Sequence, residues 1–175
     1  MEGLRLPRKI MEEPGAQRFA DELAACSRPL WADSELGVPH LDVSEDVVTV
    51  LRSVQSSGRI VRGMEGAERT LAAEDRGLKH ADRSSGVERG GRVSRLLVLA
   101  NDGSERFYHD VEALLRRHWP RVLALRLAMD EKDLGEMLYG PDQRARLILV
   151  EHKSSVSAVL LALAARWESS GEESP

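Results

Sequence analysis

The side chain best placed for chemistry in this 175-residue chain is Asp102. It sits in Leu97-Val98-Leu99-Ala100-Asn101-Asp102-Gly103-Ser104, where an apolar run breaks off on polar turn residues. Phosphotransfer enzymes put a nucleophilic aspartate at such a strand end, with further carboxylates around a metal. Ala100 stands two residues back, where one of those carboxylates is expected. With Glu105 three residues on, Asp102 reads instead as a helix cap, a capping box using Asp in place of Ser or Thr. The five histidines (His40, His80, His109, His118 and His152) fall on different elements without metal-ligand spacing and read as surface or helix-end residues. No Walker-type or dinucleotide-type glycine loop, no HExxH and no GxSxG occurs. Cys26 is the single cysteine, so one chain can form neither a disulfide nor a cysteine zinc site. These residues describe a non-enzymatic protein with no catalytic residue, cofactor or metal.

The elements around Asp102 explain its position. Leu96 to Ala100 is too short an apolar run for a free helix and reads as a strand buried on both faces. Ser104 precedes Phe107, Val111, Leu114 and Leu115, the spacing of an amphipathic helix. Upstream, Ser44 caps a helix bearing Val47, Val50, Leu51 and Val54, which Gly58 closes, and an extended piece at residues 59–62 follows. Met64, Ala67 and Leu71 predict a short helix. Residues 73–94 are polar and punctuated by glycine, and read as a long loop. Beyond the Asp102 turn come a strand at 121–127, a helix from Asp130 to Gly140, a strand at 146–150 and a last helix from about Ser154, with Trp167 on its buried stripe. Helices alternating with short apolar strands predict an α/β fold, a three-layer α/β/α sandwich. Residues 1–43 lack periodicity and read as an N-terminal extension, partly helical or disordered; 44–167 form the domain, and 168–175 a frayed acidic tail.

Hydrophobic residues at 42% and charged residues at 31% fit a soluble globular chain, and no apolar run approaches the ~18 residues of a membrane span. The N-terminus shows no signal-peptide pattern, so the cytoplasm is the expected location and no membrane partner is expected. The net charge of −4 is uneven. Residues 48–150 carry 18 basic against 15 acidic groups, while both flanks are acidic. That balance permits a nucleic-acid partner without requiring one.

Three segments, in order, resemble a known family. Ser57-Gly58-Arg59-Ile60-Val61-Arg62-Gly63 with Arg69 is similar to an "aGklvrG…K" opening, and Leu97 to Ser104 to an "lvilA-x-D-a-s" strand and turn. Asp133-Leu134-Gly135-Glu136-Met137-Leu138-Tyr139-Gly140 is similar to an "eLG-xxx-G" helix. These patterns belong to the ribosomal-protein superfamily of kink-turn RNA binders, the L-seven-Ae and L-thirty-e relatives, nearest the small bacterial YlxQ-type proteins. The resemblance covers about residues 47–163. It implies a sandwich of the L-thirty-e-like type and a cytoplasmic ribonucleoprotein role in a bacterium, with structured RNA, such as ribosomal RNA, as partner. The implied RNA surface gathers residues 63–69, 101–106 and 140–146, with Arg62, Gly63, Glu65, Arg69, Asn101, Arg106 and Arg144 as its contact residues.

Kink-turn binders carry an Asn-Glu pair where this sequence has Glu65-Gly66. The substitution removes an amide that donates and accepts in one plane, and it leaves a carboxylate that repels phosphate. Contacts are therefore expected to address the RNA backbone rather than a kink-turn's sheared base pairs. The other expectation is a protein-interaction or regulatory module of the same fold without RNA binding.

Overall fold

Leu96 to Ala100 have almost no surface exposed, as a strand covered on both faces requires. This strand, β4 (Arg95–Leu99), lies inside a six-stranded mixed sheet in a computed structural model that describes residues 4–85 and 91–169. Among those residues the elements are α1 (Arg8–Met11), α2 (Ala16–Ala25), β1 (Ser27–Pro29), β2 (Gly37–Leu41), α3 (Glu45–Ser56), β3 (Ile60–Arg62) and α4 (Met64–Ser85). After β4 follow α5 (Glu105–Arg117), β5 (Val122–Leu127), α6 (Glu131–Tyr139), β6 (Leu147–Val150) and α7 (Lys153–Ser169). The strand order is β1-β2-β5-β4-β6-β3. β4 runs parallel to β5 and antiparallel to β6, which is antiparallel to β3.

Side chains alternate along β4 and divide the core. Leu96, Val98 and Ala100 join the cluster under α1, α2, α3, α6 and α7, whereas Leu97 and Leu99 join Ala67 and Leu71 of α4 and Val111 and Leu114 of α5. The fold is thus α/β, with helices on both faces of the sheet. Local signals set most boundaries. Ser44 accepts from Val47 N and Asp130 from Asp133 N, and Gly58 at φ +69 closes α3. Among the described residues no helix is long and apolar enough to cross a membrane.

Two expectations change. Residues 73–85 are not loop: α4 continues to Ser85. Its second half has little apolar surface to bury, and ion pairs anchor the helix at its midpoint, where that half begins. Glu74 binds Arg95 and Arg121, and Asp75 binds Arg121. The residues from 86 to 90, the tail from 170 and the Trp167 side chain lie outside the described residues.

Residues 4–43, expected as an extension, are likewise built into the sandwich. β2 pairs in parallel with β5 through His40↔Arg126 and Leu41↔Leu127, and β1 pairs antiparallel with β2. Ile10, Phe19 and Leu23 are buried in one core layer, and Leu30 and Val38 in the other. Burying a large apolar side chain contributes about 1.5–3 kcal/mol, a favourable term that offsets the conformational entropy lost in ordering this segment.

Glu112 on α5 fastens the segment between β1 and β2. One carboxylate oxygen accepts from Ser34 Oγ at 2.6 Å and Trp31 Nε1 at 2.8 Å, and the other from Arg116 Nε at 3.0 Å and Nη2 at 2.7 Å. Burial works to raise its pKa, but the bonds from Ser34, Arg116 and Trp31 outweigh it and hold the carboxyl below the ordinary glutamate range. A depressed folded-state pKa adds stability above the unfolded value, which is lost as pH falls through the folded one. Glu112→Gln is therefore expected to be less stable than wild type at neutral pH, the gap closing as pH drops from about 5 toward 3. Urea unfolding at a series of pH values reads this; a gap independent of pH would show that the carboxylate's charge does not hold the segment.

Candidate functional site

The strand directions bring the three sequence-predicted segments to one end of the sheet. The carboxyl ends of β3 and β4 and the amino end of β6 meet there, in the registers Arg62↔Ile148 and Leu99↔Leu147. Arg62 and Gly63 close β3, Asn101 to Arg106 follow β4, and Arg144 leads into β6. β5 and β2, parallel to β4 and β5 respectively, end at the same place and add Arg126 and His40.

Gly63 links β3 to α4. At φ +86 it occupies the region that excludes most side chains, its N–H donates to Leu147 O at 2.9 Å, and its carbonyl accepts from Ala67 N. The first turn of α4 leaves N–H groups without intrahelical acceptors beside this glycine. Glu65 and Arg69, one turn apart on α4, form an ion pair of 2.7 Å with side chains 87% and 74% exposed. A pair that open to water is worth at most about 1 kcal/mol, so a phosphate can take Arg69 from it.

Arg62 is more committed. Its guanidinium donates to Gln143 Oε1 at 3.1 Å and to Arg144 O, and lies 4.7 Å above the Tyr139 ring. Arg144 and Arg146 both bind Glu131, at 2.9 Å and 2.8 Å. Arg106 is exposed and has no ion pair among the described residues. Of the predicted cations it is the freest to meet an outside anion.

Asp102 does not cap its own helix. Ser104 does, accepting from Phe107 N at 3.2 Å, whereas Asp102 Oδ1 accepts from Glu131 N at 3.0 Å, at the start of α6. The capping box read from Asp102 and Glu105 is corrected accordingly: the carboxylate ties the β4 turn to the next helix. Gly103 is held by close contact, since a Cβ there would stand 2.5 Å from Phe107 Cδ1. Its N–H donates to the Tyr108 hydroxyl, which donates to Ala100 O at 2.7 Å.

Sequence reading missed Arg126, Arg146, Tyr108 and Glu131. Arg126 Nη2 donates to Asn101 O at 2.7 Å, and its guanidinium lies 5.4 Å from the Tyr108 ring centre. Burial, then the charges of Arg126 and Arg28, hold His40 below the ordinary imidazole range. The neutral ring takes Arg126 Nη1 at Nδ1, 3.3 Å away. No local pattern marks Arg126, Arg146 and Glu131, whose partners lie 13 or more residues away, and Tyr108 binds the turn on its own N-terminal side, at Ala100 and Gly103. The other histidines stay apart, with His118 buried at the end of α5 rather than on the surface. Among the described residues no group of three His, Cys, Asp or Glu is arranged to hold a metal.

The arrangement can bind an extended polar surface by hydrogen bonds and exchangeable ion pairs. Among solved structures the chain is similar to a protein with unknown function from Bacillus halodurans, at 14% identity and a TM-score of 0.43, over 70% of this chain and 99% of that one. No family model and no curated protein matches the chain.

Proposed function

We propose that this protein is a non-enzymatic RNA-binding or ribosome-associated protein that contacts structured RNA at the Gly63 end of the sheet. The observation that carries the proposal is the convergence of the Gly63, Asn101 and Arg144 segments there, through the β3-β6-β4 registers. The resemblance to the L-seven-Ae and L-thirty-e relatives supports the same surface, as does the order of helices and strands. In this reading Arg106 and Arg69 meet backbone phosphates, Gly63 and the first turn of α4 admit a phosphate closely, and Arg62 and Arg144 shape the surface. The cytoplasm is its place of action.

The test is fluorescence anisotropy with ribosomal and kink-turn RNA fragments across a salt series. Arg106→Ala and Arg69→Ala are each expected to weaken binding severalfold and to reduce the salt slope by about one unit. Glu65→Gln is expected to tighten binding, since it frees Arg69 and removes a repelling charge. Absence of binding at low salt overturns the proposal.

A second reading is a protein-interaction module of the same fold. The pairing of Arg69 with Glu65 and of Arg144 and Arg146 with Glu131 favours it, because it balances the charge of this surface. Tightening in Glu65→Gln decides against this reading, and a purified complex that survives nuclease decides for it.

A further inference from the structure

At the opposite end of the sheet, where β4 and β5 begin, lies a cleft of about 1130 Å³. It opens between the second half of α4, the end of α5 and the start of α7, and among the described residues its walls carry eight Lys or Arg side chains against three carboxylates. That excess is concentrated in a protein whose net charge is −4.

The inner charges are already spent. Arg95 and Arg121 share Glu74, Arg121 also binds Asp75, and His118 Nδ1 lies 2.7 Å from Asp75 Oδ2. The surplus belongs to the rim. Lys9, Lys79, Arg117 and Lys153 have no carboxylate partner among the described residues, and Arg92 donates only to Leu6 O at 3.2 Å. Like charges gathered around a concave wall repel one another and focus potential on an incoming anion.

Two features narrow the anion. Lys153, Ser154 and Ser157 of α7 line the cleft, so the positive end of that helix adds to the rim cations. Trp119, 41% exposed, lines the same cleft and brings an aromatic ring to it. At about 1130 Å³ the space is larger than typical small-ligand sites, about 300–1,000 Å³, and leaves room for a nucleotide.

We infer that this cleft is a second, separate anion site that takes a nucleotide carrying two or more phosphates. The phosphates lie among Lys153, Arg117 and Lys79, and the base lies on Trp119. The shared chemistry is a polyphosphate joined to a nucleoside, and its source is either a free nucleotide or the triphosphorylated 5′ end of an RNA strand. No bond is made or broken. The site shares no residue with the Gly63 end, so the two stand or fall separately.

Calorimetric titration of the full chain with guanosine triphosphate tests it. Binding is expected at low salt, with a loss of about tenfold or more in the double variant Arg117→Ala/Lys153→Ala, since each charge-assisted contact is lost outright. Both side chains are exposed, and the melting temperature should stay near that of wild type. Trp119→Ala should lose about tenfold, and guanosine triphosphate should bind more tightly than tripolyphosphate. Arg106→Ala, at the other end, should leave this binding unchanged. An RNA strand with a 5′ triphosphate that outbinds both the free nucleotide and the same strand with a 5′ hydroxyl assigns the RNA end as source; otherwise the free nucleotide is the source. No binding at millimolar nucleotide, equal affinity for tripolyphosphate, or full binding by the double variant each overturns the inference.

Discussion

Glu74→Ala is expected to destabilise the fold by about 3 kcal/mol, the lower end of the range for breaking a buried ion pair by removing one partner. For a chain of this size that is a fall in melting temperature of about 6–12 °C. The Glu74 carboxylate takes Arg95 Nε at 2.8 Å and 3.0 Å and Arg121 Nη1 at 2.7 Å. The three side chains keep between 16% and 23% of their surface in water. Removing the carboxylate leaves Arg95 without its counterion, and leaves Arg121 with Asp75 alone. The same three residues tie the middle of α4 to the starts of β4 and β5, so loss of the pair should also fray the helix beyond it. Calorimetry and amide exchange along residues 74–85 read both effects. Glu65→Ala supplies the contrast. Its pair with Arg69 is open to solvent, and its removal should change stability by less than about 1 kcal/mol. Equal effects from Glu74 and Glu65 would show that the network adds nothing beyond an ordinary surface pair.

Gly135→Ala is expected to be destabilising although it places the best helix former inside a helix. Gly135 is buried in α6, and a Cβ there would lie 2.4 Å from Arg144 Cα and from Gln143 O. Those are backbone atoms, so relief requires the 143–144 segment to move. Alanine returns at most about 1 kcal/mol of helix propensity, whereas overpacking of this kind costs about 1–3 kcal/mol and sometimes more. The displaced segment carries Ala145, whose N–H donates to Glu131 O, and Arg144, whose carbonyl accepts from Arg62. On the proposed function, RNA affinity at the Gly63 end should therefore fall together with stability. Gly77→Ala is the matched control with the opposite sign. It sits in α4 with nothing within 4 Å of an added Cβ, and should stabilise by about 0.5–1 kcal/mol. If both substitutions raise the melting temperature, the backbone contact at Gly135 does not constrain the fold.

These two substitutions mark where local sequence stops being informative. Gly135 and Gly77 are both glycines within helices, and only the neighbour at residues 143–144 separates them. Similarly, Glu74 and Glu65 are both acidic residues of α4, yet one meets arginines 21 and 47 residues away and the other its own helix. The candidate site was legible as three segments because each carries a local signature: Gly63 at a strand-to-helix junction, the polar break after Ala100, and the residues leading into β6. Arg126 and Glu131 were not legible, since their roles depend on strands that meet only in the sheet.

The sequence by itself determined the elements that bury or cap themselves locally. The run from Leu96 to Ala100 has enough apolar side chains to be covered on both faces, and Ser44 and Asp130 each satisfy a backbone donor within one helical turn. Their alternation was enough to specify an α/β sandwich. Tertiary structure decided the length of α4, the inclusion of residues before 44 in the sheet, and the task of Asp102. Each depends on a partner far away in the chain: Arg95 and Arg121 for α4, β5 for β2, and the Glu131 N–H for Asp102. Periodicity reports which face a segment buries, whereas a polar side chain's role follows from the donor or acceptor that folding places beside it.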